Sequence, residues 1–259
     1  MRKIAAIASD DGEVTILRSR SSGAVLYYQG LCNQSEADTQ GVSVTAYVHA
    51  IFGLLLQADC DDVLMIGCGG GTLATMLRMA GVKVTMVDIN SHSFQIARDY
   101  FQLPTEVECH VADGAEFLRT RPHRYGAIVL DAYQGGEMPK HLATAEFFRL
   151  VALRLAKGTG CFLANVCVNE YIGQTADWFA AAMMPALRNV RILDSKPSGN
   201  SNAIVMAGAV KDLQRPILLL PPEFKAREVT HSLDLLTLRK PHAVKPDNPG
   251  TPKLVTRRE

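Results

Sequence analysis

Apolar positions along the chain change period several times, and each change predicts an element. Three short runs rich in Ile, Val, Leu and Tyr, at 3–8, 13–18 and 24–28, are separated by Asp10-Asp11-Gly12 and by the Ser-rich stretch 19–23. This reads as a small antiparallel meander. Its single apolar face needs cover, from the main domain or from a second subunit. Residues 29–41 are polar and glycine-punctuated, hence a loop. Between 44 and 56 the apolar positions Val44, Tyr47, Val48, Ile51 and Leu55 follow the helical period. The run Val63-Leu64-Met65-Ile66 then breaks into closely spaced glycines, and helical spacing resumes at Leu73, Met76, Leu77 and Ala80. A buried strand, a tight loop and a helix follow from that pattern.

After the loop, strands and helices alternate. Strands are expected at 83–88, 106–111, 125–131 and 160–166, with helices at 91–100, 115–120, 144–156 and 172–187 between or after them. Trp178 and Phe179 of the last helix are expected in the core. Two further strands, 189–193 and 202–209, form a terminal hairpin. Beyond Lys211 the pattern weakens. Residues 216–222 read as a packed extended segment and 226–238 as one more helix. From Arg239 onward, Pro241, Pro246, Pro249 and Pro252 together with an excess of basic residues predict a disordered, solvated tail.

This order predicts an α/β fold: a doubly wound, mostly parallel, seven-stranded Rossmann-like sheet of the methyltransferase type, with an antiparallel edge hairpin and a small N-terminal β unit. The expected division is 1–43, 44–212 and 213–259, with 239–259 disordered. Composition narrows the function without naming it. Hydrophobic residues make up 47% of the chain, charged residues 20%, and the formal charge is +1. That balance gives no electrostatic reason for nucleic acid or an anionic membrane, so small-molecule chemistry is expected. The six cysteines are scattered without a Cys-x-x-Cys pair, which predicts reduced thiols and no metal site. The apolar run after Arg2 and Lys3 is too short for a signal peptide, and no stretch reaches the ~18 apolar residues of a membrane helix. A soluble, cytoplasmic protein is expected.

The candidate chemistry sits at strand ends. Gly67, Gly69 and Gly71 form G-x-G-x-G, whereas a dinucleotide fingerprint would need a small residue at position 72, occupied here by Thr72. An S-adenosyl ligand lacks a pyrophosphate and fits the looser pattern; a plain strand-to-helix turn is the structural alternative. Asp88 ends the second strand, where a carboxylate accepts hydrogen bonds from ribose hydroxyls, unless it only caps the next helix. Asp113 follows the third strand, either to accept an adenine amine or to form a capping box with Glu116. Asp131 closes the fourth strand beside the sulfur end of such a ligand. A carboxylate there orients an amine nucleophile and takes its proton; an Asx turn is the alternative.

The blocks Ile66-Gly67-Cys68-Gly69-Gly70-Gly71-Thr72-Leu73, Val87-Asp88-Ile89, Ala112-Asp113-Gly114 and Asp131-Ala132-Tyr133, with Met138-Pro139-Lys140-His141-Leu142 and Thr144-Ala145-Glu146-Phe147-Phe148, carry a resemblance. Together they resemble the spermidine synthase (polyamine aminopropyltransferase) family, over about residues 24–210. The resemblance implies a homodimer and a ligand of the S-adenosylmethionine type, decarboxylated in true synthases, with no metal. It implies that Gln34, Gly67, Gly69, Gly71, Asp88, Ile89, Asp113 and Gly114 hold that ligand and that Asp131 is catalytic. Tyr28, Tyr47 and Tyr133, with Tyr27 and His141, are the candidates to line the pocket of an amine acceptor; packing or a surface role is the alternative for Tyr27, Tyr28, Tyr133 and His141. The implied activity is aminopropyl transfer to a polyamine-type amine. Methyl transfer on the same scaffold and a non-catalytic binding or dimerisation module are the alternatives. Departures bear on the acceptor. The acid of the family's glycine loop is replaced by Gly70 and Gly71, its second aspartate by Gln134-Gly135, and its tyrosine–histidine–glutamate element keeps only Tyr47 and His49.

Overall fold

The computed structural model describes residues 1–7, 12–30, 32–134, 136–168, 174–195 and 201–244. At the N-terminus, β1 (Arg2–Ile7), β2 (Val14–Arg18), β3 (Val25–Gln29) and β4 (Cys32–Ala37) make an antiparallel sheet in chain order. The fourth strand replaces part of the loop expected at 29–41. Its sequence, Cys-Asn-Gln-Ser-Glu-Ala, carries no apolar alternation, so only pairing with β3 makes it a strand. Val14, Ile16, Val25, Tyr27 and Ala37 pack against Ile96 and Phe101 of the main domain. The apolar face thus finds its cover within the same chain.

The main sheet has the order β12-β10-β11-β9-β8-β5-β6-β7. Its parallel part is β5 (Asp62–Ile66), β6 (Lys83–Asp88), β7 (Glu108–Val111), β8 (Ala127–Leu130) and β9 (Cys161–Val168). β11 (Ser201–Gly208) runs antiparallel between β9 and β10 (Arg191–Asp194). Two apolar layers flank the sheet. Val63 and Met65 face the layer of α1 (Ala46–Gln57) and α2 (Thr72–Met79), which Phe94 and Ala97 of α3 (Ser91–Phe101) join. Leu64 and Ile66 face α4 (Gly114–Thr120), α5 (Ala145–Arg154) and α6 (Thr175–Met183). Burial on both faces is why the strands read as unbroken apolar runs. The chain leaves the central strand β5 toward β6 on one side and later returns to β8 on the other. Such a switch point opens a crevice at the carboxyl ends of the strands.

Two expectations are corrected here. Trp178 is 42% exposed, while Ala176, Phe179, Ala180 and Met183 of α6 face the sheet. Those four positions follow the helical period, and Trp178 falls between them. The helix expected over 226–238 is α7 (Ala226–Asp234), after which the chain turns into β12 (Thr237–Arg239). β12 pairs with β10 and adds an eighth strand to the seven expected. Arg239 therefore lies in a strand, although the irregular tail was expected to begin there; residues 245–259 of that expected tail lie outside the described residues.

Arg239 also locks the sheet edge to α6. Its guanidinium donates to Asp177 (2.7 and 3.0 Å) and to Asp194 (2.7 and 3.0 Å), and the Asp177 side chain is only 2% exposed. Burial pushes the Asp177 carboxyl up, but hydrogen bonds from Arg239 and from the His242 N–H outweigh it and hold the carboxyl below the usual range. Replacing Arg239 with Leu leaves that buried carboxylate unpaired and should lower stability by about 3 kcal/mol at neutral pH, measured by urea unfolding. A carboxyl depressed in the folded state stabilises above its unfolded value and loses that contribution as pH falls through the depressed one. The gap between wild type and Arg239→Leu should therefore narrow in acid.

Candidate active site

The crevice holds a cavity of about 500 Å³, of ordinary size for a small-molecule site. Its floor is the glycine loop between β5 and α2. Gly67 has φ +100°, and a Cβ there would lie 2.1 Å from the Asp131 carbonyl oxygen. Only glycine lets the chain after β5 lie flush on the chain after β8. Hydrogen bonds from Gly67 N–H to Val87 O and from Asp131 N–H to Ile66 O, both 2.8 Å, close the seam. Gly69 and Gly71 also have positive φ. Gly71, expected to hold the ligand, is outside the cavity lining: it caps α2, and a Cβ there would meet Ala97 and Leu103 at 3.2 and 3.1 Å. From above, β4 crosses the loop: Ser35 Oγ accepts from Gly70 N–H at 2.8 Å and donates to Gln34 O at 2.6 Å, which sets Gln34 in the cavity wall.

The aspartates at the strand ends are each held by backbone donors. Asp88 accepts from Cys68 N–H and from Asn90 N–H, both at 2.8 Å, and so ties the glycine loop to the start of α3. The cap of α3 is Asn90, which accepts from His92 N–H. Ile89 beside it lines the cavity and is 59% exposed. Asp113 caps α4 by accepting from Glu116 N–H at 3.0 Å, and its other oxygen accepts from His141 Nε2 at 2.7 Å. Glu116 pairs with Arg119 rather than completing a capping box. Partial burial pushes the Asp113 carboxyl up, but the bonds from Glu116 N–H and His141 prevail and lower it. A Cβ on Gly114 would lie 2.4 Å from Ile66 Cγ2, so that glycine lets α4 start against β5.

Asp131 is half-buried, with both carboxylate oxygens held by side chains. Its Oδ1 accepts from Asn165 Nδ2 at 2.8 Å and its Oδ2 from the Tyr47 hydroxyl at 3.1 Å. Burial raises its pKa above the ordinary 3.8, with those two bonds opposing. Tyr47 and Tyr133 line the same cavity, and burial holds both phenols protonated. Tyr133 is fixed by donating to Asn165 O at 2.8 Å and accepting from Cys167 N–H at 2.9 Å. Tyr28 is a correction. It is absent from the cavity lining, whereas Tyr27 and Gln29 belong to it, because successive side chains of β3 point to opposite faces. Sequence reasoning passed over Ser35, Asn165 and Asn202. Asn165 alone left a signal, as an amide inside the apolar run Cys161-Phe162-Leu163-Ala164-Asn165-Val166, where a polar side chain needs a partner.

Three aspartates line the cavity, and its described lining contains no Lys or Arg. A low-dielectric hollow with that charge suits a cationic ligand. Among the described residues, no cluster of three or more His, Cys, Asp or Glu is placed to hold a metal ion.

A methyltransferase-domain family model matches residues 63–158. A polyamine aminopropyltransferase of Neisseria meningitidis is 30% identical over 171 residues, covering 63% of this chain and 63% of that protein. The chain is thus similar in sequence to polyamine aminopropyltransferases. Solved structures share the fold. A probable spermidine synthase from Corynebacterium glutamicum has a TM-score of 0.75 at 18% identity, covering 92% of this chain and 90% of that one. A spermidine synthase in complex with the transition-state analogue AdoDATO has a TM-score of 0.67 at 22% identity, covering 88% and 85%. The match spans from 42% to 63% of the length of the first curated relatives. No helix among the described residues is long and apolar enough to cross a membrane.

The seam beneath the cavity is testable apart from any assay. Gly67→Ala adds both a disfavoured φ and a clash with the Asp131 carbonyl, and should lower stability by at least about 2 kcal/mol in thermal or urea unfolding. Gly81→Ala supplies the control: it shares the positive φ but meets nothing within 4 Å, and should cost about 1 kcal/mol.

Proposed function

We propose that this chain is an aminopropyltransferase that takes decarboxylated S-adenosylmethionine as donor and a small amine as acceptor. The observation that carries the reading is the half-buried Asp131 carboxylate, held at both oxygens, in a cavity whose charged lining is acidic. A donor without a carboxylate suits a lining with no described Lys or Arg, and three aspartates suit a sulfonium and an amine. In this reading Asp88 and Ile89 hold the ribose side, Asp113 and Gly114 the adenine, and Gln34, Gly67 and Gly69 the strip between. Tyr47 and Tyr133 shape the acceptor end. For adenine to reach Asp113 Oδ2, His141 gives up its bond there.

Chemically, the acceptor nitrogen attacks the propyl carbon next to sulfur. A C–N bond forms, the C–S bond breaks, and its electron pair returns to sulfur, leaving neutral methylthioadenosine. Asp131 takes the proton that the new ammonium sheds. Burial makes this carboxylate a stronger base than an exposed one, and water exclusion strengthens its hold on the amine. The sulfonium is already a good leaving group, so the site's main contribution is alignment and proton removal.

Methyl transfer is the second reading, supported by the methyltransferase-domain match. Supplying both donors and identifying the thioether product separates the two: methylthioadenosine supports aminopropyl transfer, S-adenosylhomocysteine overturns it, and neither with a panel of amines points to a binding module. The resemblance also implies a homodimer, which sedimentation velocity tests. If Asp131 is the proton acceptor, Asp131→Asn should cut kcat by about 10²- to 10⁴-fold while circular dichroism stays unchanged. Because its carboxyl is raised, wild-type kcat should fall in acid at a pH above 3.8, the ordinary aspartate value, as Asp131 takes up a proton.

A further inference from the structure

Asp131 is held by more than its two direct partners. Asn165 donates to it from Nδ2, and Asn165 Oδ1 in turn accepts from Asn202 Nδ2 at 2.9 Å. Asn202 belongs to β11, the antiparallel strand beside β9. In the β9–β11 register Asn165 faces Ile204 and Cys167 faces Asn202, so the two asparagines are diagonal neighbours on one face. Asn165 is buried, both amides line the cavity, and Asn165 O also receives the Tyr133 hydroxyl.

We propose that Asn202 and Asn165 form an amide relay that fixes Asp131 for proton transfer, with both asparagines acting as positioning residues. The inference rests on reading Asp131 as the proton acceptor. Its logic is directional. A side-chain amide has one donor end and one acceptor end. With Asn202 donating to its oxygen, Asn165 turns its NH2 toward Asp131 and presents a donor to Oδ1. Tyr47 presents a donor to Oδ2 from α1. Rotating the carboxylate would break both bonds, so its plane is set before a ligand arrives, and each oxygen keeps a further lone pair for the incoming proton. The titratable groups facing Asp131 are Tyr47 from α1 and Tyr133 from the chain after β8, and Cys167 from β9 faces those two phenols. The relay supplies neutral dipoles in place of a cation. It tempers the effect of burial on Asp131 without adding a positive charge that would repel a sulfonium or an ammonium.

The relay gives the inserted strand β11 a chemical role. A parallel neighbour at that place would bring a different residue to the end of β9. Asn165 alone, with its oxygen unpaired, could turn its NH2 away and leave Oδ1 without a donor.

The test is the pH dependence of kcat in Asn202→Ala and Asn165→Ala, beside Asp131→Asn. Losing the donor to Oδ1 favours the protonated carboxyl. The acid limb of kcat should therefore move to higher pH, by about one unit in Asn165→Ala and by about half that in Asn202→Ala. The plateau kcat should fall about tenfold in Asn165→Ala through misorientation. Calorimetry should find donor affinity within about twofold of wild type, since neither asparagine is assigned to the donor. Asn202→Ala is the cleaner variant, because Asn202 is only partly buried; its thermal midpoint should stay near wild type. An unmoved acid limb in both variants, with only KM for the amine raised, would mean that the asparagines touch the acceptor directly, and would overturn the relay while leaving Asp131 as base. Full turnover in Asp131→Asn would overturn the underlying reading and the relay together.

Discussion

The approach of Gly67 to the Asp131 carbonyl is the constraint on which the site depends. At the switch point of the sheet, the chain after β5 and the chain after β8 lie so close that a single Cβ would sit 2.1 Å from an oxygen. This contact sets the depth of the crevice and places a carboxylate beside the glycine loop instead of a side chain's length away. The remaining ties are arranged around it. Asp88 joins the loop to α3 through two backbone N–H groups, and Ser35 joins it to the N-terminal sheet. Floor and roof of the cavity are thus fastened to the same five or so residues.

Charge is managed differently at the two ends of the molecule. At the sheet edge a buried aspartate is matched by a guanidinium, and the Asp177–Arg239–Asp194 group holds β12, β10 and α6 together. In the crevice the half-buried Asp131 has neutral side-chain donors, a phenol and an amide. The first arrangement satisfies a carboxylate and leaves little for it to do. The second leaves net negative charge in a low-dielectric hollow, which costs stability and attracts a cation. The same residue type thus meets opposite charge at one end of the molecule and neutral dipoles at the other.

Most of the fold was legible from period alone. β6 falls on 83–88 as expected, and α3, α4, α5 and β9 lie within a few residues of their expected bounds. Where the reading failed, local sequence lacked the deciding information. β4 is polar and becomes a strand through β3; β12 is three residues long and becomes one through β10; Trp178 faces outward because four neighbours on α6 fill the inward stripe. Among the candidate site residues, those at strand ends line the cavity, because a strand's end is visible in the sequence. Tyr28 does not, because which face of β3 looks inward is settled by the packing of Val25 and Tyr27 on Ile96 and Phe101.

By itself the sequence determined the α/β class, the glycine loop and the aspartates after β6, β7 and β8, since each follows from periodicity and from the few residue types that tolerate such turns. Tertiary structure alone decided what each carboxylate touches. Asp113 meets His141 from the chain after β8, Asp131 meets Tyr47 from α1 and Asn165 from β9, and Asn202 arrives from β11. These partners are separated by tens of residues, and hydrogen bonding is a matter of tenths of an ångström and of direction. No local pattern encodes such distances; the packing of the sheet and its helices does.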